Sequence, residues 1–521
     1  MKQNSRKFYF RFVAFFFSTL GFAQLSSHQI DELVQTSMAR MQVAGVAVLV
    51  IKDGQVVHKK GYGVKSIQTQ EKVDEYTNFA IASNSKAFTS AALAILVDEK
   101  QINWTDPVIK YIPEFKMYND YVTENFNIQD LLTHRSGLGL GAGDLMFFPD
   151  GSDFGMKDIL SVFQYFEPQS AFRTQFDYDN LLYYVAGEIV ARVSGVSFES
   201  FIEKRIFAPL GMEQTYSFWP RIKDPKSLAS PHNADSGKLR EISHFTKNVN
   251  AAPGGIFSNI NDLSQWLLVQ LNEGKYGDQL DHVLFSEQSQ QEMWRIHTPL
   301  KTPQGDQYNT HFFGYGLGWF LKDVNGYLHV SHTGGLPGML SKTVLIPDLN
   351  LGVVVLTNTE PGGGAFFSAV SNIIVDAYLP IDKTDWLTFY VERLQKSKQT
   401  GDQVTEEVWK TVASHRSVKI EASKYVGLYE DPWFGKVEVY EKGSKIFIKS
   451  YRSPKLNGQL EFYQDNTFAV KWEYQDMNAD AFVIFETDKE NNVSEMKMKG
   501  ISPNIDFSFD FQDLSFKRIR H

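Results

Sequence analysis

Hydrophobic residues run almost unbroken from Val43 to Ile51, Asp53-Gly54 interrupts them, and Val56, Val57 and Tyr62 follow. A short apolar run, a turn signal and a second run predict a β-hairpin. The same texture returns far downstream, from Tyr315 to Phe320, Tyr327 to Ser331, Thr343 to Ile346 and Gly352 to Leu356. Helical spacing fills the interval between these regions, and another helical pattern runs from Phe366 to Leu379. Strands from both ends of one unit with helices between them predict an α/β (α+β) domain: an antiparallel sheet flanked by helices. One predicted helix, Ala82 to Asp98, carries Ala87, Phe88, Ala91, Leu93, Ile95 and Leu96 with no continuous polar face, which assigns it to the centre of the domain.

Past Pro380 the pattern changes. Residues 382–416 predict two polar helical segments with Lys396-Ser-Lys-Gln-Thr-Gly401 as a linker between them. Beyond Val418, short alternating runs follow: Lys436 to Tyr440, Lys445 to Lys449, Thr467 to Trp472, Ala481 to Thr487, Val493 to Met498 and Ile505 to Phe511. Gly443, Asp465-Asn466, Asn491-Asn492 and Pro503 punctuate them at a spacing that predicts a small all-β barrel. The expected division is 28–380 for the first domain, 381–417 for a helical linker and 418–521 for the barrel.

The first residues have a layout of their own. Lys2, Arg6, Lys7 and Arg11 precede an apolar run from Phe12 to Leu20 and then Gly21-Phe22-Ala23, the three-part layout of a secretory signal over residues 1–23. The run is too short for a stable bilayer span, so the expectation is a periplasmic or secreted protein with no membrane span after its removal. The 521-residue chain contains no cysteine, which rules out disulfides, thiolate metal sites and a cysteine nucleophile. A formal charge of −9 argues against nucleic acid as a partner, because phosphate binding needs clustered Lys and Arg. No His-Glu-x-x-His, phosphate loop or calcium-spaced carboxylate cluster occurs, so neither cofactor nor metal is expected.

Candidate chemistry begins at Ser83-Asn-Ser-Lys86, at the start of the apolar helix. Residues three apart share a helix face, so the lysine amine can reach the serine hydroxyl and, once desolvated, act as its base. A second match, Ser494-Glu-Met-Lys497, lies in an alternating strand, where positions three apart face opposite sides. Tyr178-Asp-Asn180 precedes another apolar helix and offers a phenol and an amide. His332-Thr333-Gly334-Gly335 lies on a β-rich segment, where the Gly335 N–H and the Ser83 N–H can together form an oxyanion hole. The aromatic stretch from Met146 through Phe172, with Phe147, Phe148, Phe154, Phe163, Tyr165 and Phe166, offers an apolar pocket wall.

Taken in order, Ser83-x-x-Lys86, Tyr178-x-Asn180 and His332-Thr-Gly334 resemble the three signature elements of the serine β-lactamase and penicillin-binding-protein superfamily. The resemblance is closest to its class C β-lactamase, D-aminopeptidase and family VIII esterase branch, and covers about residues 28–380. Leu131-Leu-Thr-His-Arg-Ser-Gly-Leu138 and Ala252-Pro-Gly-Gly-Ile-Phe-Ser258 look like the same branch. The final module, through Tyr425-Val-Gly-Leu-Tyr429 and Asp431-Pro-Trp-Phe-Gly435, resembles the lipocalin-like barrel appended to some members.

The resemblance implies that Ser83 is acylated, that Lys86 and Tyr178 share the proton transfers, and that Asn180, His332, Thr333 and Gly334 bind substrate. It further implies an oxyanion hole from the backbone of Ser83 and Gly335. The expected activity is hydrolysis of amide, peptide (D-amino-acid) or ester substrates, including cell-wall-derived peptides. A β-lactamase or D,D-carboxypeptidase ranks below it, because His332 stands where those enzymes usually carry a lysine that meets a substrate carboxylate. The reading from another class is a catalytically silent relative used as a binding module.

Overall fold

The computed structural model describes residues 24–519 except 236, 248 and 304–306, so the predicted signal segment lies outside the described residues. An eight-stranded sheet organises the first domain. In spatial order its strands are Gln55–Gly63, Gly45–Lys52, Leu351–Thr357, Met339–Ile346, Tyr327–Leu336, Phe320–Val324, Phe313–Tyr315 and Thr298–Pro299. Every neighbouring pair is antiparallel, and Leu49 opposite Val354 marks where the two ends of the domain's chain meet.

Both faces of the sheet are covered, which explains why its central strands read as continuous apolar runs. Val46, Val48 and Val50 pack with Ile30, Val34, Phe366 and Ile374 of the helices Ser27–Met41 and Gly362–Asp376. Ala47, Leu49 and Ile51 point the other way, into the larger core with Phe88 and Trp266. Period-two alternation thus divides one strand between two cores. The central helix runs Ser85–Asp98, preceded by a 3₁₀ turn over Ala82–Asn84, so Ser83 stands on the turn that enters the helix. Phe88 stacks on Trp266 at 3.9 Å and meets Phe207 edge-on at 5.8 Å, which locks the helix in the interior.

Residues Trp386–Ser414 form one unbroken 29-residue helix, where the sequence predicts two segments and a linker. Gly401 lies where the helix passes close to the C-terminal module, and a Cβ there would meet Asn504 Nδ2 at 2.3 Å. A buried glycine on a helix is there to let another chain pass close, and the helix carries it at a cost of about 1 kcal/mol relative to alanine. The same helix bridges the two domains: Val391 joins the core behind the sheet, while Val408 and Val412 pack on Ala469 and Ile501.

The C-terminal module is a closed eight-stranded antiparallel barrel, Gly427–Asp431, Gly435–Lys442, Lys445–Ser450, Asn457–Gln464, Thr467–Trp472, Ala481–Thr487, Val493–Gly500 and Ser515–Arg518. First and last strands pair, Tyr429 opposite Arg518, so no edge is left open. The predicted strand from Ile505 to Phe511 does not form. Residues 501–514 are a loop that leaves the barrel and enters the first domain, where Phe507 and Phe509 meet Tyr178 and Phe148, while Phe511 stacks back on Trp472 of the barrel.

Candidate active site

Ser83 is only partly covered, whereas Lys86 is completely buried. The turn holding Ser83 begins at Ala82, a buried alanine in the left-handed region at φ 47°, which aims the following residue out of the core. From the next turn Lys86 Nζ donates to Ser83 Oγ at 3.0 Å, to Asn180 Oδ1 at 2.6 Å and to the carbonyl of Pro253 at 3.0 Å. The ring faces of Tyr178 and Tyr183 lie 4.8 and 5.0 Å from the same nitrogen. Burial pushes the pKa of this amine down to about 7, with Asp144 and Asp179 pulling weakly the other way. Near neutral pH a substantial share of Lys86 is therefore an uncharged base beside a hydroxyl.

Tyr178 and Asn180 reach the site from the entry to the helix Leu181–Ser194, whose first turn is capped by Asp179 accepting from the Leu181 N–H at 2.8 Å. Burial raises the pKa of the Tyr178 phenol, opposed by the neighbouring Ser83 hydroxyl, and the charges of Asp144 and Asp506 add to the rise. The resting phenol is protonated. His134, left-handed at φ 53° and fully buried, stacks on it at 4.2 Å and accepts from the Asp179 N–H at 3.0 Å. Asp144, which carries no recognisable signature in the sequence, fixes the orientation of Asn180. It accepts from Asn180 Nδ2 at 2.7 Å, so Oδ1 of that amide is the atom turned to Lys86. Burial pushes the Asp144 pKa up to about 7, partly offset by its hydrogen bonds from Asn180 and Ser508.

The third motif lies on the strand Tyr327–Leu336, and alternation divides its residues. Thr333 and Gly335 are exposed to the cavity and Gly334 turns inward, while His332, buried, still contributes to the cavity lining. His332 Nδ1 is 2.6 Å from the Thr333 carbonyl, which can only accept, so Nδ1 carries the proton and Nε2 accepts from Tyr315 at 2.8 Å. Burial, reinforced by the charge on Lys86, pushes the His332 pKa down to about 3, so the ring is neutral. Gly334 is required by packing: a Cβ there would sit 2.1 Å from the Ile81 carbonyl and 3.0 Å from the Ser83 N. The absent side chain lets the strand press against the turn that bears Ser83, with Gly335 one residue further along the cavity wall.

The barrel closes the site. Asp510, on the 501–514 loop, accepts from the N–H groups of Gly143 and Leu145 at 2.8 and 2.7 Å, on either side of Asp144. Ser508 donates to Asp144 Oδ2 at 3.0 Å, and the Phe507 ring meets Tyr178 edge-on at 5.7 Å. A chain of contacts thus runs from the barrel through Ser508, Asp144 and Asn180 to Lys86. Of the aromatic stretch, Phe147 and Phe148 line the cavity, while Phe154 and Phe166 pack on the barrel residues Phe434 and Trp433 at 5.7 and 5.3 Å. Part of that stretch is therefore a docking face for the barrel. The resulting cavity, about 680 Å³, opens onto Ser83, Tyr178, Asn180, Thr333, Gly335 and Phe507.

Comparison with known proteins bears on the family and the fold. A family model described as Beta-lactamase matches residues 30–375, and one described as a domain of unknown function, DUF3471, matches residues 417–518. The unguisins hydrolase ungD' of Aspergillus campestris is 27% identical over 420 residues, covering 78% of this chain and 76% of that protein. Protein flp of Staphylococcus aureus is 28% identical over 337 residues, covering 64% of this chain and 63% of its own length. Among solved structures, the octameric penicillin-binding protein homologue from Pyrococcus abyssi covers 94% of this chain and all of its own, at TM-score 0.59 and 21% identity. That likeness establishes a shared fold. With its family model spanning well over half of the residues and the signature side chains converging on one cavity, the chain belongs to the beta-lactamase family.

Proposed function

We propose that this chain is an exported serine hydrolase that forms an acyl-enzyme on Ser83 with amide, peptide or ester substrates. The observation that carries the reading is the contact of a fully buried Lys86 with Ser83 Oγ, 3.0 Å, at an amine whose pKa is brought down to about 7. Neutral Lys86 takes the hydroxyl proton as Ser83 Oγ bonds to the substrate carbonyl carbon. Negative charge then develops on the carbonyl oxygen, for which the Ser83 and Gly335 N–H groups are the assigned donors in this reading. When the tetrahedral adduct collapses, the C–N or C–O bond breaks and the leaving atom takes the proton from Lys86. The protonated Tyr178 phenol, whose ring lies 4.8 Å from Lys86 Nζ, relays it. Water repeats the sequence on the ester, with Lys86 again the base, and frees Ser83. Asn180 orients the substrate carbonyl side while its Oδ1 holds Lys86 in place.

The substrate class follows from what the third motif lacks. A neutral, buried His332 offers no cation to a substrate carboxylate, which favours D-amino-acid peptides, amides and esters over anionic β-lactams. The name of the Aspergillus relative, a hydrolase, points to the same class of reaction. Export rests on the basic, apolar and small-residue layout of residues 1–23. Intact-protein mass spectrometry tests the acyl-enzyme after incubation with a fluorophosphonate, a penicillin and a p-nitrophenyl ester. A covalent adduct on wild type and none on Ser83→Ala is expected. No adduct and no turnover with any of the three would overturn the proposal in favour of a silent binding module.

A further inference from the structure

The catalytic cavity does not end at the nucleophile's surroundings. A second cavity of about 650 Å³ adjoins it, and the two share Asp235, Asp402, Met477, Asn478 and Asn504 as lining. Their common floor is one face of the helix Trp386–Ser414. Leu394, Ser397 and Lys398 line the inner cavity, Asp402 lines both, and Thr405 and Trp409 line the outer one. Those positions follow the three-and-four spacing of a single helix face. From Leu394 to Trp409 that face extends about 22 Å at 1.5 Å per residue.

We propose that the substrate of Ser83 is an extended chain whose far end lies in this outer cavity, between the long helix and the barrel. An extended peptide advances about 3.3 Å per residue, so the whole face accommodates about six residues, of which about three lie beyond the inner cavity, along the roughly 10 Å from Asp402 to Trp409. This proposal rests on the acyl-enzyme reading above and adds to it the size and shape of the substrate.

The chemistry of the outer cavity suits a peptide backbone more than a lipid tail. Trp409 is half-buried, and its indole N–H donates to Asp480 at 3.1 Å, which fixes the ring at the far end. Arg240 is paired with Asp476 and Lys410 with Glu406, so those charges are balanced within the wall. Thr405, Gln475 and Asn478 offer neutral donors and acceptors between them. Asn504 marks the waist. It donates to the Ser397 carbonyl at 2.8 Å and accepts from Ser397 Oγ at 3.0 Å, tying the barrel loop to the helix where the cavities meet. An isolated hydrolytic pocket for small esters needs neither this continuation nor an aromatic ring at its end.

Acetylated oligoalanine p-nitrophenyl esters of one, three and six residues, in both D and L series, test the idea with the full-length protein. Wild-type kcat/KM is expected to rise about tenfold or more with length in at least one series. Thr405→Arg, which fills the outer cavity from a half-buried position on its helix wall, is expected to erase that rise. Trp409→Ala is expected to reduce it, with melting temperature monitored for both variants. Ser83-dependent turnover with a flat length profile, or a rise that survives both substitutions, would overturn the extended-substrate proposal while leaving the acyl-enzyme intact. Turnover that persists in Ser83→Ala, or fails for every ester in wild type, would bring down the acyl-enzyme reading and this one with it.

Discussion

Two tetrapeptides in this chain share the pattern Ser-x-x-Lys and have opposite physics. Ser83-Asn-Ser-Lys86 enters a core helix, and Lys86 is stripped of water, so burial drives its pKa down to about 7. Ser494-Glu-Met-Lys497 lies in the barrel strand Val493–Gly500, where Lys497 is half-exposed and paired with Glu486 at 2.8 Å. That pairing raises the pKa of Lys497. In the first setting the amine becomes a base aimed at a hydroxyl; in the second it is a surface cation that cannot reach its serine. Backbone conformation and desolvation, not the residue letters, make the chemistry.

Mutations can break that comparison. The largest expected effect is Ser83→Ala, which should lower ester turnover by about 10⁴-fold or more, while Ser494→Ala should leave turnover at the wild-type level; steady-state kinetics on one ester decides both. Lys86→Ala should follow with a loss of about 10²-fold or more, since it removes the proton acceptor, and Lys497→Ala should change neither kcat nor, by more than about 2 °C, the melting temperature. Gly334→Ala sharpens what the context contributes. Its new Cβ would push the strand off the Ser83 turn, and a displacement near 1 Å there should cost about 10²-fold or somewhat less in kcat/KM. Smallest is Ser508→Ala, which cuts the barrel's bond to Asp144. About a threefold loss in kcat is expected. A shifted pH profile at unchanged melting temperature would mark Ser508 as a positioning residue.

Much of this was legible because it is local. Three motifs, the apolar helix and the alternating barrel strands announce themselves within a few residues, and the strands from both ends of the first domain do form one sheet. What the sequence hides is assembled across long separations. Asp144 meets Asn180 from 36 residues away and Ser508 from 364 away, and nothing near it is distinctive except Gly137, Gly139, Gly141 and Gly143. All four have positive φ, so that glycine spacing was the one available signal of a specially folded loop. The 501–514 loop misleads for a related reason. Ile505, Phe507, Phe509 and Phe511 alternate like a strand, but they serve both domains: Phe507 meets Tyr178 and Phe509 meets Phe148 in the first domain, while Phe511 stacks on Trp472 of the barrel. Gly401 misled as a breaker, because a close approach to Asn504 is a tertiary demand that local propensity cannot express.

The central claim is that burial makes Lys86 a base near neutral pH, and the rate of Ser83 phosphonylation by a fluorophosphonate, followed by intact mass from pH 5 to pH 10, tests it directly. Because the lowered pKa leaves Lys86 protonated and inactive below about 7, the rate should climb about tenfold per pH unit at the acidic end and level off above that point. The climb should vanish in Lys86→Ala. A wild-type profile that is flat across the range, or that keeps rising toward the ordinary lysine pKa, would contradict the account.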